Sequence, residues 1–379
     1  MRDSWNEALD RWVRADLIDP ATAERIRAFE AAHGPRPMNW PVTLALVFGA
    51  LMVAAGVLLF VSSHWDALSP ASRFALVLSA VAGLHLGGAA TTSPGLREAL
   101  HVGGTIALGG GIFLAGQIFN LEERWSTGVL LWAIGAAAGW ALVRDNAQMV
   151  MTAILAPAWL VSEWSIISTA DMTSGLRVAS VGVFLMAIAY LTAEDAIVTT
   201  RRARALRWIG GLALPLAALA LWETAPALIF EAQASPGIAY APVPLGWLVA
   251  GWLVALALPM LTAALLRGRG ALVNAVAVAW ALVAVNIPRS MGQATLYAWF
   301  AGGALALAAW GVRESRPERI NFGAAALAAV VIAFYFSQVF DRLGRSASLI
   351  VFGILFLAGG WLLERTRRGL VLQARKGHS

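Results

Sequence analysis

Twelve stretches of this chain contain no Asp, Glu, Lys or Arg, and no other feature limits its fold so strongly. They cover residues 41–62, 74–90, 99–120, 126–143, 149–161, 178–193, 208–222, 244–266, 271–287, 294–312, 320–340 and 347–363. A helix rises about 1.5 Å per residue, so roughly 20 residues cross the ~30 Å apolar layer of a bilayer. With a turn of flanking residues added, most of the stretches reach that length. The weakest two carry a proline, Pro157 in 149–161 and Pro215 in 208–222. Proline is tolerated in a membrane helix where a neighbour takes up the carbonyl it frees. The expectation is an all-α, polytopic transmembrane helix bundle of about twelve spans, with the lipid bilayer as its first partner.

Composition agrees. Hydrophobic residues make up 59% of the chain and charged residues 13%, against about 25% charged in soluble domains. That excludes an ordinary soluble enzyme and a disordered tail. The net charge is +6, and of the 28 basic residues only Lys376 is a lysine. The arginines stand singly or in short groups between apolar stretches, not on one basic face with aromatic platforms, so nucleic acid is not an expected partner. With the N-terminus in the cytoplasm and every stretch spanning, 22 of the 28 fall on the cytoplasmic side and 6 on the other. This is the asymmetry of the positive-inside rule, and it puts both termini inside. Trp65, Trp125, Trp164 and Trp247 then fall at outer span ends and Trp40, Trp208 and Trp310 at inner ones, the headgroup level that indole prefers. There is no cysteine, which removes disulfides and thiolate chemistry.

Three regions follow: a cytoplasmic helical hairpin over residues 1–37, a transmembrane domain over 38–366 and a basic cytoplasmic tail over 367–379. In the hairpin, Ser4 and Glu7 have capping-box spacing. Asp19-Pro20 reads as an N-cap followed by proline at the first helical position. So small a unit buries little core alone; it serves as a passive cap, or for self-association or a cytoplasmic protein partner.

Several motifs are shared with one family. Leu17-Ile18 precedes the second helix of the hairpin, Leu59-Phe60-Val61 ends the first span, and His64-Trp65-Asp66 follows it. Gly116-Gln117-Ile118-Phe119-Asn120 closes the third. Over roughly the first 145 residues the chain resembles a bacterial family of predicted multi-pass membrane proteins catalogued as a domain of unknown function. Relatives usually carry Asn where this chain has His64. The resemblance implies a bacterial inner (cytoplasmic) membrane protein and supplies no activity.

Polar groups inside a bilayer are costly, so each is a functional candidate. Gln117 and Asn120 share a helical face near the outer end of the third stretch, and His64, Asp66, Glu122 and Glu123 lie just beyond span ends. Together they form a candidate polar site if spans one and three are neighbours, for a cation or proton relay or simply for interhelical hydrogen bonds. His85 and His101 lie at similar depth toward the inner side, as structural histidines or as an intramembrane proton-sensing pair. Asn274, Asn286, Tyr335 and Gln338 are weaker candidates of the same kind. Gly103, Ala107, Gly111 and Ala115 form a four-residue repeat for close helix packing, and Gly109-Gly110-Gly111 offers a hinge as the alternative. No metal, cofactor or catalytic motif is present. The loop over 223–243, with prolines at 226, 236 and 242, is a candidate lid.

These features leave three function classes: a transporter-like or solute-binding membrane protein, a non-catalytic sensor or assembly factor signalling through the hairpin, and, less supported, an integral-membrane enzyme on a lipid-linked substrate.

Overall fold

The structure, a computed structural model, describes residues 9–33, 67–118, 124–169, 171–194, 197–198, 200–225 and 242–339, with positions 52, 63, 353, 354 and 357. The chain divides into two compact units, Met1–Ser69 and Pro70–Ser379.

In the first unit, residues 9–14 are helical, the chain turns through Asp16 with a left-handed φ of 56°, and α1 (Pro20–His33) follows. Asp19 starts α1 as its N-cap, its Oδ2 accepting from the Thr22 N–H at 3.1 Å. Hydrogen bonds from the Thr22 side chain and then from its backbone hold the Asp19 carboxyl below the usual carboxylate range. Arg27 binds Asp10 and Glu24, so one guanidinium ties α1 to the preceding helix. The Ser4–Glu7 box lies outside the described residues.

The described part of the second unit contains no strand and is built from α2 (Pro70–Ala90), α3 (Pro94–Ile118), α4 (Trp125–Val143), α5 (Asn146–Ile167), α6 (Met172–Leu191), α7 (Thr200–Glu223), α8 (Leu245–Arg267), α9 (Asn274–Ala284), α10 (Gly292–Arg313) and α11 (Pro317–Phe334). These helices overlap, in order, the second to eleventh apolar stretches. The first and last, 41–62 and 347–363, fall outside the described residues apart from positions 52, 353, 354 and 357, as does most of the candidate lid.

Nine segments among the described residues are long and apolar enough to cross a membrane. One of them, Leu245–Ala284, is 40 residues long, about 60 Å at helical rise and twice the apolar layer. It is two legs. Gly182 of α6 faces Ala255 of α8 and Ala189 packs with Ala263, so α8 runs parallel to α6. Thr192 meets Asn274 and Phe184 stacks on Trp280, so α9 runs antiparallel to it. The reversal occurs at Gly268, whose φ of 58° suits glycine, and in the 3-10 turn Gly268–Val273.

The proline inside α5 costs that helix little. Pro157 frees the carbonyl of Ala153, and the Tyr190 hydroxyl of α6 donates to it at 2.9 Å. Asp145 caps α5 through the Gln148 N–H at 2.7 Å, and Asp171 caps α6 through Ser174 at 3.0 Å. The centre of the unit is α6: Val181, Phe184, Leu185, Ile188 and Leu191 are buried with Leu221 of α7, Ala281 of α9, and Leu296 and Phe300 of α10. Many large apolar residues face outward, Leu142, Leu216 and Leu265 among them, as lipid-facing surfaces require.

The turns segregate into two ends. At one, Arg201 pairs with Glu98 at 2.9 Å, Arg202 reaches the Arg144 carbonyl and Arg267 pairs with Glu194 at 2.9 Å. At the other, Arg124 pairs with Glu163 at 2.5 Å and Arg177 donates to the Thr224 carbonyl at 3.2 Å. We call the first the arginine-rich end.

Candidate functional site

Near the arginine-rich end, α2 and α3 bring two histidines together inside the spans. His85 Nδ1 lies 3.1 Å from His101 Nδ1, with ring centroids 5.4 Å apart. Two glycines make the room. A Cβ on Gly104 would sit 2.7 Å from the His85 ring, and one on Gly88 would sit 3.0 Å from the His101 ring. Each imidazole therefore lies over the glycine three residues past the other histidine. The sequence carries this as a repeated tetrapeptide, His85-Leu86-Gly87-Gly88 and His101-Val102-Gly103-Gly104, on two antiparallel helices.

Behind His101 is a fully buried amide. Gln148 of α5 donates through Nε2 to the His101 carbonyl at 2.9 Å and to the Thr105 hydroxyl at 2.8 Å. Trp132 of α4 donates to the Thr105 carbonyl at 2.8 Å. Four helices thus share one polar layer. Below it an open pocket of about 220 Å³ is lined by Arg97, Glu98, Arg144, Asp145 and Arg201. Glu98 is one helical turn from His101, and Asp145 caps the backbone of Gln148. Arg144 closes α4 with a φ of 56°, a conformation uncommon for a residue with a side chain.

The other expected residues divide. Gln117 is exposed near the end of α3, while His64, Asp66, Asn120, Glu122 and Glu123 lie outside the described residues. Gly103 faces Leu84 and Gly111 faces Val77, so both pack toward α2; Ala107 and Ala115 are half-buried. Helix α3 runs unbroken through Gly109-Gly110-Gly111. Asn286 is exposed and bonds to the Leu282 carbonyl, and Gln338 meets Gln293 at 2.9 Å. Tyr335 is buried at the start of a π turn. Among the described residues no three His, Asp or Glu side chains converge to hold a metal ion.

A second polar cluster involves residues that the loop charges mark only as topology signals. Arg267, almost fully buried, binds Glu194 and Glu314, each at 2.9 Å. Asn274 Oδ1 lies 3.4 Å from its Nη1, and Asn274 donates to the Thr192 hydroxyl at 3.1 Å. Arg319, buried at the start of α11, binds the other oxygen of Glu314. The Trp310 indole donates to Glu314 at 2.6 Å, and the guanidinium carbons of Arg267 and Arg319 both lie 5.0 Å from its ring centroid. Desolvation pushes the Glu314 carboxyl up, but hydrogen bonds from Trp310, Arg319 and Arg267 prevail and pull it down to about 2. The cluster clamps the turns after α6, α8 and α10.

Long apolar helices packed through glycines, with polar groups gathered between them, define an integral, multi-pass membrane protein. Residues 10–150 match a family described as predicted membrane protein (DUF2157), of unknown function. The matched region takes in both histidines, both supporting glycines and Gln148. No curated protein and no solved structure matches the chain.

Proposed function

We propose that this is a transporter-like, solute-binding membrane protein whose action is linked to a proton on the His85–His101 pair. Its arginine-rich end and both termini face the cytoplasm of a bacterial inner membrane, and its spans number about twelve. The observation that carries the reading is the 3.1 Å Nδ1–Nδ1 approach. At that separation one ring donates and the other accepts, and a proton on both rings would set two cations face to face. The nearest groups on the packed helices favour such a role: neutral Trp132 on α4, neutral Gln148 on α5, and Arg97, Glu98, Asp145 and Arg201 at the pocket below. Helix α2 contributes only Arg73, twelve residues from His85. The pocket opens at Glu98, one helical turn from His101. Twenty-two of 28 basic residues on one side support the orientation.

The chain has five histidines, so ring-¹⁵N-labelled protein in micelles gives resolvable imidazole signals. The expected result is two rings titrating jointly with one proton between them, and a single independent titration in His85→Gln. Two independent one-proton titrations in the native protein sink the reading.

Leu17 of the first unit, 71% exposed, favours a second reading: a sensor or assembly factor whose hairpin meets a soluble partner or a second copy. Deleting residues 1–37 separates the two. Loss of phenotype with intact membrane insertion favours the sensor.

A further inference from the structure

A groove of about 260 Å³ runs between α5, α6 and α8, apart from the histidine pair and sharing no residue with it. Its walls are Pro157 and Leu160 of α5, Gly182 of α6, and Trp247, Gly251 and Val254 of α8. Liquid water takes about 30 Å³ per molecule, so the volume would hold roughly eight, yet these walls offer them almost no polar partner. Such a space takes an apolar occupant. Trp247 and Val254 are exposed, so the groove opens on the lipid-facing surface. One charged residue lines it, Glu163, near the end of α5. Glu163 Oε1 accepts from Arg124 Nη2 at 2.5 Å and Oε2 from the Ser126 hydroxyl at 2.6 Å. The Arg124 side chain is 54% exposed and that of Glu163 30%. The apolar trough thus ends in a half-exposed pair of opposite charges.

We propose that this groove seats one acyl chain of a zwitterionic phospholipid whose headgroup carries a phosphate and a primary ammonium. The phosphate lies on the Arg124 guanidinium and the ammonium on the Glu163 carboxylate. A headgroup of two opposite charges complements an ion pair of two opposite charges, whereas an anionic headgroup leaves Glu163 facing a phosphate. A primary ammonium donates hydrogen bonds to a carboxylate; a quaternary one does not. The bilayer supplies this lipid directly, since the groove opens onto it.

The test is mass spectrometry of the intact protein after exchange into nanodiscs of equal parts phosphatidylethanolamine, phosphatidylcholine and phosphatidylglycerol. The native protein is expected to retain one phosphatidylethanolamine in preference to the others. Glu163→Gln is expected to reduce that preference about tenfold, the equivalent of one charge-assisted hydrogen bond. Val254→Trp, which fills the groove from its open side, is expected to lose the lipid altogether. Retention of the three lipids in bulk ratio overturns the proposal, as does an unchanged preference in a Val254→Trp variant with native thermal stability. Where Val254→Trp does not fold, spin-labelled lipids decide on the native protein. A larger immobilised fraction for the phosphoethanolamine headgroup than for phosphocholine upholds the assignment, and equal fractions overturn it.

Discussion

His85 and His101 meet Nδ1 to Nδ1 at 3.1 Å, each ring lying over a glycine of the opposite helix. The contact depends on the glycines as much as on the histidines. Gly104→Ala puts a methyl 2.7 Å from the His85 ring. We expect the ring to leave its partner and stability to fall by about 1–3 kcal/mol, the usual cost of overpacking. Gly88→Ala, at 3.0 Å, is expected to do less of both. Thermal unfolding in detergent, with the imidazole spectra, measures the two effects together.

Gln148 is the support of that pair. Gln148→Leu leaves the Thr105 hydroxyl and the His101 carbonyl without their amide partner in a buried layer, at an expected cost of about 1–3 kcal/mol. Unfolding midpoints against the native protein check this, and a change under 0.5 kcal/mol refutes it.

Acid is expected to release the second cluster. The Glu314 carboxyl ordinarily titrates near 4.5 and here at about 2. Its contribution to stability is therefore complete above pH 4.5 and is lost as pH falls from there through 2. Glu314→Gln is expected to lower stability at pH 7 by roughly 2–4 kcal/mol, because Arg267 and Arg319 stay buried with less countercharge. The variant's melting temperature should also vary less with pH below 4.5. A parallel pH profile for variant and native protein refutes the assignment.

The α6–α7 contact sets a contrast between two glycines. A Cβ on Gly210 would lie 2.4 Å from the Ala187 carbonyl and from the Leu191 N–H of α6, whereas one on Gly110 meets nothing within 4 Å. Gly210→Ala must push two backbones apart and is expected to destabilise by at least 1–3 kcal/mol. Gly110→Ala is expected to be neutral or to stabilise by up to about 1 kcal/mol. Denaturation of both variants in one detergent decides it.

Orientation can be read chemically because the natural chain has no cysteine. With a membrane-impermeant maleimide on intact cells, Thr169→Cys, in the turn between α5 and α6, is expected to react. Arg269→Cys, in the turn after α8, is expected to react only after permeabilisation. The reverse pattern inverts the proposed topology.

Hydropathy made the helices legible, including the stretch around Pro157. That stretch is short because Glu163 ends its charge-free run, yet the helix continues through Glu163 to Ile167, and Tyr190 of the next helix repairs the break at Pro157. His85 and His101 stand out singly as polar residues in apolar stretches. Their meeting is a property of the turn at residues 91–93, although the repeated His-x-Gly-Gly announces it to a reader who compares the two stretches. Gln148 was harder to see. It directly precedes an apolar stretch and looks like loop, and only the capping by Asp145 draws it into α5. The arginines at the ends of α8 and α11 carry two messages at once. Charge counting reads their topology, but hydropathy has no term for pairing, so Glu194 and Glu314 stayed hidden.

The Arg267 clamp also bears on biogenesis. Glu194 leaves the ribosome 73 residues before Arg267, and Glu314 follows 47 residues after that. The acidic turn at Glu194 waits through one further hairpin, α7–α8, for its counterion, and Arg267 waits through a second, α9–α10, for Glu314, so the early hairpins stay provisional until the later ones are threaded. Nascent chains arrested before residue 267 should present a loosened product to quality-control proteases, and those released beyond residue 319 a locked one.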